Sequence, residues 1–166
     1  MEKLKGYITR KNLRKTIGKD KYDTLIDGAA SKFQNSEEYS ENTEVKNLIS
    51  QMQTLKRNIY ASKWFEVLGV SMAAVSGYRI EDYPKSQMVT MMGLGVAGSV
   101  IAYFVKKHSK ITYSMAEEVL AECVDGSGAM EDLQEHGLTE ESMSICSKDI
   151  CNKVVEDQNV LDNYWR

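Results

Sequence analysis

Proline is almost missing: Pro84 is the single one in 166 residues. With one such breaker and no clean run of alternating β-branched residues, nothing reads as a strand, and helix is the expectation throughout. Cysteine is scarce as well. Cys123, Cys146 and Cys151 are odd in number and build no paired framework, which speaks against a disulfide scaffold and for free thiols in a reducing compartment. Histidine occurs twice. No Ser/His/Asp or Cys/His spacing emerges around either one, so no enzyme is expected. The start, MEKLKGYITRK, carries charge but no apolar core, so no secretory signal is expected. No internal repeat is visible.

Metal and cofactor motifs are equally thin. Cys123, His136, Cys146 and Cys151 stand 13, 10 and 5 residues apart, which matches no common zinc finger. DGSGAMEDLQEH begins like a calcium loop but has Met130 where the turn glycine belongs and His136 at its last position. Neither a metal nor a cofactor is expected. Cys123, Cys146 and Cys151 read instead as apolar core positions.

What is present is uneven charge and one long apolar run. The net charge is −3. Residues 1–63 hold 13 basic and 8 acidic side chains, residues 64–112 hold 5 and 3, and residues 113–166 hold 3 and 13. The two ends are therefore expected to meet different partners, with a protein partner for the acidic one.

The spacing of apolar residues lays out five segments. Residues 1–34 form a basic helical segment: a helix near 3–17, then an amphipathic one near 20–34 with Tyr22, Leu25, Ile26, Ala29 and Phe33 on one face. NSEEYSEN, residues 35–42, is a polar linker. An amphipathic, coiled-coil-like helix follows over 43–63, with Thr43 as its N-cap. An apolar hairpin covers 64–105. An acidic helical segment covers 113–166, opened by a capping box from Ser114 to Glu117, broken by DGSG at 125–128 and resumed at Thr139.

The apolar run MVTMMGLGVAGSVIAYFVKK, residues 88–107, contains GLGVAG, a literal GxGxxG. A dinucleotide site needs a strand before those glycines and an acidic residue about 20 positions beyond, and neither is present. The glycines read as helix-packing positions. The 18 residues from Met88 to Val105 carry no charge, and at about 1.5 Å each they reach about 27 Å, near the thickness of a bilayer's hydrocarbon. Tyr103, Phe104, Lys106 and Lys107 close the run as aromatic and basic residues do at an interface. A second, shorter apolar segment covers 64–80, with Glu66 in its first turn and Arg79 near its end. Together the two predict a transmembrane hairpin of helices 64–80 and 88–105, flanked by amphipathic cytosolic helices.

Small residues suit that hairpin. Gly69, Ala73 and Gly77 recur every fourth residue, and Gly95, Gly98 and Ala102 also share a face. Folded back at Pro84, Gly69 falls opposite Ala102, Ala73 opposite Gly98 and Gly77 opposite Gly95. Glu66 is expected to pair with Lys106 or Lys107 across the hairpin. Lys56, Arg57 and Lys63 precede it, and Lys106, Lys107 and Lys110 follow it, which predicts a multi-pass membrane protein with both termini cytoplasmic.

Two flanking features predict contacts. Val45, Leu48, Met52, Leu55 and Ile59 step 3-4-3-4, a two-heptad seam read as an oligomerisation surface for a homo-oligomer. Lys11, Arg14 and Lys15 stand in a dense basic start, which on the cytoplasmic side is drawn to anionic lipid. Nucleic acid is not expected, because no aromatic platform or zinc pattern accompanies the charge.

The outline of helix, two spans and helix is similar to two-span holins and to small pore-forming effectors of bacterial defence systems. The similarity carries no residue correspondence. The sequence as a whole predicts a small oligomeric integral membrane protein with a scaffolding or assembly role. Two other roles fit the same outline: a membrane-permeabilising pore, and a soluble helical assembly component that buries 64–105 against partner chains.

Overall fold

A computed structural model describes residues 2–79, 84–135 and 138–164, with side chains over 8–79, 84–135 and 138–158. The protein is all-α, with no strand among the described residues. The helices are α1 Glu2–Ile17, α2 Lys19–Gln34, α3 Glu37–Glu41, α4 Thr43–Tyr78, α5 Lys85–Gly126, α6 Glu131–Gln134 and α7 Glu140–Tyr164. The far end of the shorter apolar segment (Ile80), the loop residues Glu81 and Asp82, and His136 lie outside the described residues.

Several boundaries follow the sequence directly. Gly18, at φ +92°, separates α1 from α2 in a conformation that only glycine adopts without strain. Gly126 ends α5, and Gly128 at φ +71° turns the chain. Thr139 caps α7, its Oγ1 accepting from the Ser142 amide at 3.3 Å.

Three local expectations are corrected. Residues 35–42 are not a plain linker, since they fold as α3, with Ser36 Oγ accepting from the Tyr39 amide. The cap of α4 is Asn42, one residue earlier than Thr43, with its Oδ1 accepting from the Glu44 amide at 2.9 Å. No new helix begins at Ser114, because α5 runs unbroken through that position. Residues 106–114 contain neither glycine nor proline, so nothing there ends the helix already in progress.

The chain divides into two compact units, residues 1–53 with 115–166, and residues 54–114. The first has an ordinary core. Tyr22, Phe33, Ile49, Met52, Leu120, Leu133, Ile150 and Val154 are fully buried. The basic and acidic ends, far apart in sequence, meet in this unit: Arg10 Nε donates to Asp149 at 3.0 Å, and Lys32 pairs with Asp132. Part of the charge asymmetry is thus met inside the chain. Gln53, buried, donates to the carbonyl of Val155 at 3.3 Å.

The second unit consists of the facing stretches of α4 and α5, which run antiparallel. Apart from Ala102, every buried apolar residue among the described residues belongs to the first unit. Apart from Ile8, Met115 and Val119, every exposed large apolar residue among those whose side chains are described belongs to the second.

Candidate functional site

The contact seam of the second unit is made of small and polar side chains. On α4 it comprises Ser62, Glu66, Gly69, Ala73 and Ser76, and on α5 Gly95, Ser99, Ala102, Lys106 and Ser109, all buried or half-buried. Both sets alternate steps of four and three residues, the spacing that keeps one face of a helix on its partner in a left-handed pair. The two helices touch through backbone. A Cβ added to Gly95 would lie 2.6 Å from the Gly69 carbonyl oxygen and 2.9 Å from the Ala73 nitrogen. One added to Gly69 would lie 2.6 Å from the Gly95 carbonyl oxygen. Both positions therefore require glycine for this approach.

Polar contacts cross the seam as well. Ser99 Oγ donates within its own helix to the Gly95 carbonyl at 2.9 Å and reaches the Glu66 carbonyl at 3.3 Å. The Glu66 carboxylate pairs with Lys106, whose ammonium also stands 6.0 Å from the Tyr103 ring centre. Of the two lysines expected as its partner, Lys107 is exposed and takes no part in this pair.

The register differs from the one read from the small residues. Gly69 lies against Gly95 and Ser99, Ala73 against Gly95, and Gly77 nearest Met92. Gly98 has nothing within 4 Å of an added Cβ and does not face α4. The reason is helical geometry: from Gly95 the seam advances four residues to Ser99 and three to Ala102, which leaves position 98 on the adjoining face. There Gly98 helps line a groove of 630 Å³ whose walls include Phe65, Leu68, Leu94, Ile101 and Val105.

Outside the seam, the stretches 64–78 and 88–105 are apolar apart from Ser71 and Thr90. Trp64, Phe65, Val67, Leu68, Val70 and Val75 on α4 are exposed, as are Val89, Leu94, Val96, Val100, Ile101 and Phe104 on α5. Aromatic pairs stand near the Lys63 and Lys106 end, Tyr60 with Trp64 at 6.3 Å and Tyr103 with Phe104 at 5.8 Å. Among the described residues α5 is the one helix long and apolar enough to cross a membrane, and 11% of its most apolar window is buried. A core helix of a soluble protein would be mostly covered. A second such helix is not shown: α4 does not meet the same test over its described residues, because its apolar stretch is short and carries Glu66.

The remaining expected site residues fall in other surroundings. Val45 and Met52 are buried in the first unit, together with Ile49, while Leu48, Leu55 and Ile59 are half-buried. The seam read over 45–59 thus does not offer a free oligomerisation face, since two of its positions are used by the fold itself. Lys11 and Lys15 are exposed. Arg14, half-exposed, donates to Asp23 at 2.9 Å with its guanidinium 5.4 Å from the Tyr22 ring centre.

One buried polar cluster was not foreseen. The Tyr22 hydroxyl donates to Asp149 at 2.8 Å and stands 3.8 Å from the Cys146 sulfur. Burial, then the hydrogen bond to Asp149, push the Tyr22 hydroxyl far above its ordinary range. Burial raises the Cys146 thiol to about 11 and the Cys151 thiol further. Such thiols are inert at neutral pH. The signal was the helical face of α2, which predicted Tyr22 as core without naming a partner for its hydroxyl. No group of three His, Cys, Asp or Glu side chains converges as metal ligands do among the described residues.

No protein-family model, curated protein or solved structure matches this chain.

Proposed function

We propose that this protein is a non-enzymatic membrane anchor and scaffold, in which the second unit is embedded in lipid and holds the helical first unit at the membrane. The observation that carries this reading is the inversion of the second unit, with small and polar residues in its seam and large apolar ones outside. In water such a surface is an association or aggregation liability, whereas in hydrocarbon it is the favourable arrangement. In this reading α5 crosses the bilayer over 88–105 and α4 accompanies it over 64–78 as the other arm of a two-span hairpin. At about 1.5 Å per residue that arm reaches only about 22 Å, short of the hydrocarbon thickness, so flanking residues such as Lys63 and Arg79 extend outward and the bilayer thins locally. Glu66 is tolerated because Lys106 neutralises it within the seam. The basic flanks place both chain ends on the cytoplasmic side, where the exposed Lys11 and Lys15 meet anionic lipid.

The test uses Trp64, near one end of the apolar belt, in the Trp165→Phe variant so that one tryptophan remains. In vesicles carrying lipids brominated at graded acyl depths, its fluorescence should be quenched most by shallow bromines. Quenching by no brominated lipid, with the chain left at the bottom of a flotation gradient, contradicts the embedding. Dye release from the same vesicles would assign the chain a pore role in place of a scaffold role.

A further inference from the structure

We infer that one side of the second unit's helix pair holds an acidic phospholipid, its anionic headgroup on Lys63, Lys107 and Lys110 and its acyl chains along the valines beside them. All of these residues belong to the second unit. The inference rests on the embedding proposed above and names the lipid class that the embedded pair takes.

The seam defines two sides of the pair. Phe65, Leu68, Leu94, Gly98, Ile101 and Val105 each stand one residue before a seam position, and all six line one groove. In this antiparallel pair, equal offsets from the seam on the two helices therefore fall on the same side. Residues one position after the seam share the other side. There Val67, Val70, Val96 and Val100 form an exposed apolar strip. Lys63, Lys107 and Lys110, all exposed, continue that strip at one end. Tyr103, 48% exposed, stands where the valines give way to the lysines, as an aromatic ring does at the border of hydrocarbon and headgroups.

Charge and hydrocarbon together identify the occupant. Over 54–66 and 103–114, six lysines and arginines stand against a single carboxylate, Glu66, and Lys106 already neutralises it. Lys63, Lys107 and Lys110 pair with no acid among the described residues. They surround the Glu66–Lys106 pair: Lys63 lies about one helical turn before Glu66, Lys107 beside Lys106, and Lys110 about one turn beyond. Topology alone asks only that cations flank a span, not that they gather on one side of it. At this depth the groove side carries Ala61 and Val105 in place of lysine. An acidic peptide would satisfy the ammonium groups and leave the valine strip bare. A phospholipid with net negative charge satisfies both, since its headgroup draws lysines and its chains cover valines.

The test uses the full chain without its own tryptophans (Trp64→Phe, Trp165→Phe). It carries either Val67→Trp on the lysine side or Leu68→Trp on the groove side, both at exposed positions. Vesicles of phosphatidylcholine contain brominated phosphatidylglycerol or brominated phosphatidylcholine at equal mole fraction. Val67→Trp should be quenched several-fold more efficiently by the brominated phosphatidylglycerol, and Leu68→Trp equally by the two. Lys63→Gln, Lys107→Gln and Lys110→Gln together should erase the preference at position 67 and leave quenching by brominated phosphatidylcholine intact. Lys63→Arg, Lys107→Arg and Lys110→Arg together should keep the preference. The same preference at position 68, or one that survives the triple Gln substitution, overturns the site. Quenching by both lipids at position 67 without preference removes the site alone. A chain that no brominated lipid quenches, left at the bottom of a flotation gradient, removes the embedding and the site with it.

Discussion

The two units of this protein obey opposite packing rules. In the first, Phe33 and Ile49 are fully buried and lysines such as Lys11 and Lys15 face outward, the arrangement that removal of apolar surface from water selects. In the second, Phe65 and Ile101 face outward while Ser62, Gly69 and Gly95 fill the contact. A helix pair that gained stability from removing apolar surface from water would place its largest side chains in the seam. This pair places its smallest there and gains backbone proximity instead, which is how helices associate when the solvent is itself apolar. On the proposed membrane reading, the same chain is built for two solvents.

The contrast can be broken by matched substitutions, beginning with phenylalanine. Phe33→Ala in the first unit should cost about 3–5 kcal/mol of stability, whereas Phe65→Ala, at an exposed site, should change it by no more than about 0.5 kcal/mol. Chemical denaturation in mild detergent measures both, and equal losses would erase the distinction between the units. Glycines sharpen it next. Gly95→Leu drives a side chain into the backbone of Gly69 and Ala73, and overpacking of this kind costs about 1–3 kcal/mol. Gly98→Leu projects into open space and should leave the hairpin's own stability unchanged. Hydrogen exchange of the α4 amides around Ala73 reads the difference, and equal loosening by both variants would contradict the register.

Alkaline pH should weaken the first unit through its buried thiols. Burial raises Cys146 to about 11 and raises Cys151 as well. In the unfolded chain thiols ionise near about 8.5. Above that pH the unfolded state has lost protons that the folded state keeps, so stability falls as pH rises, by about 1.4 kcal/mol per pH unit for each such thiol. Denaturation of the first unit at pH 8 and pH 10 should show this fall, and Cys146→Ala should reduce the slope. A flat profile would mean these thiols are not buried.

Much of this was legible in the sequence, and the omissions have one cause. The apolar run, its aromatic and basic flanks and the glycine-rich faces are patterns of composition and spacing, and they predicted an all-helical chain with an apolar hairpin. The heptad at Val45–Ile59 was visible because its members are large and apolar. Its continuation through Ser62, Glu66, Gly69, Ala73 and Ser76 was not, because a search for hydrophobic periodicity passes over serine and glutamate. For the same reason Ser99 was passed over, Gly98 was chosen in its place, and the register slipped. The serines at seam spacing were the available signal. The meeting of the two ends is a long-range event that no local pattern encodes, although their opposite charges hinted at it. The second apolar arm reads less distinctly than the first, since a run interrupted by Glu66 lacks its length and uniformity.

Alkaline carbonate extraction of membranes from cells expressing the full chain tests the central claim most directly, because high pH strips peripheral and soluble proteins but not helices embedded in hydrocarbon. An embedded second unit predicts that the protein stays in the pellet and is released only by detergent. Release of the protein into the carbonate supernatant, folded and without detergent, would contradict the account.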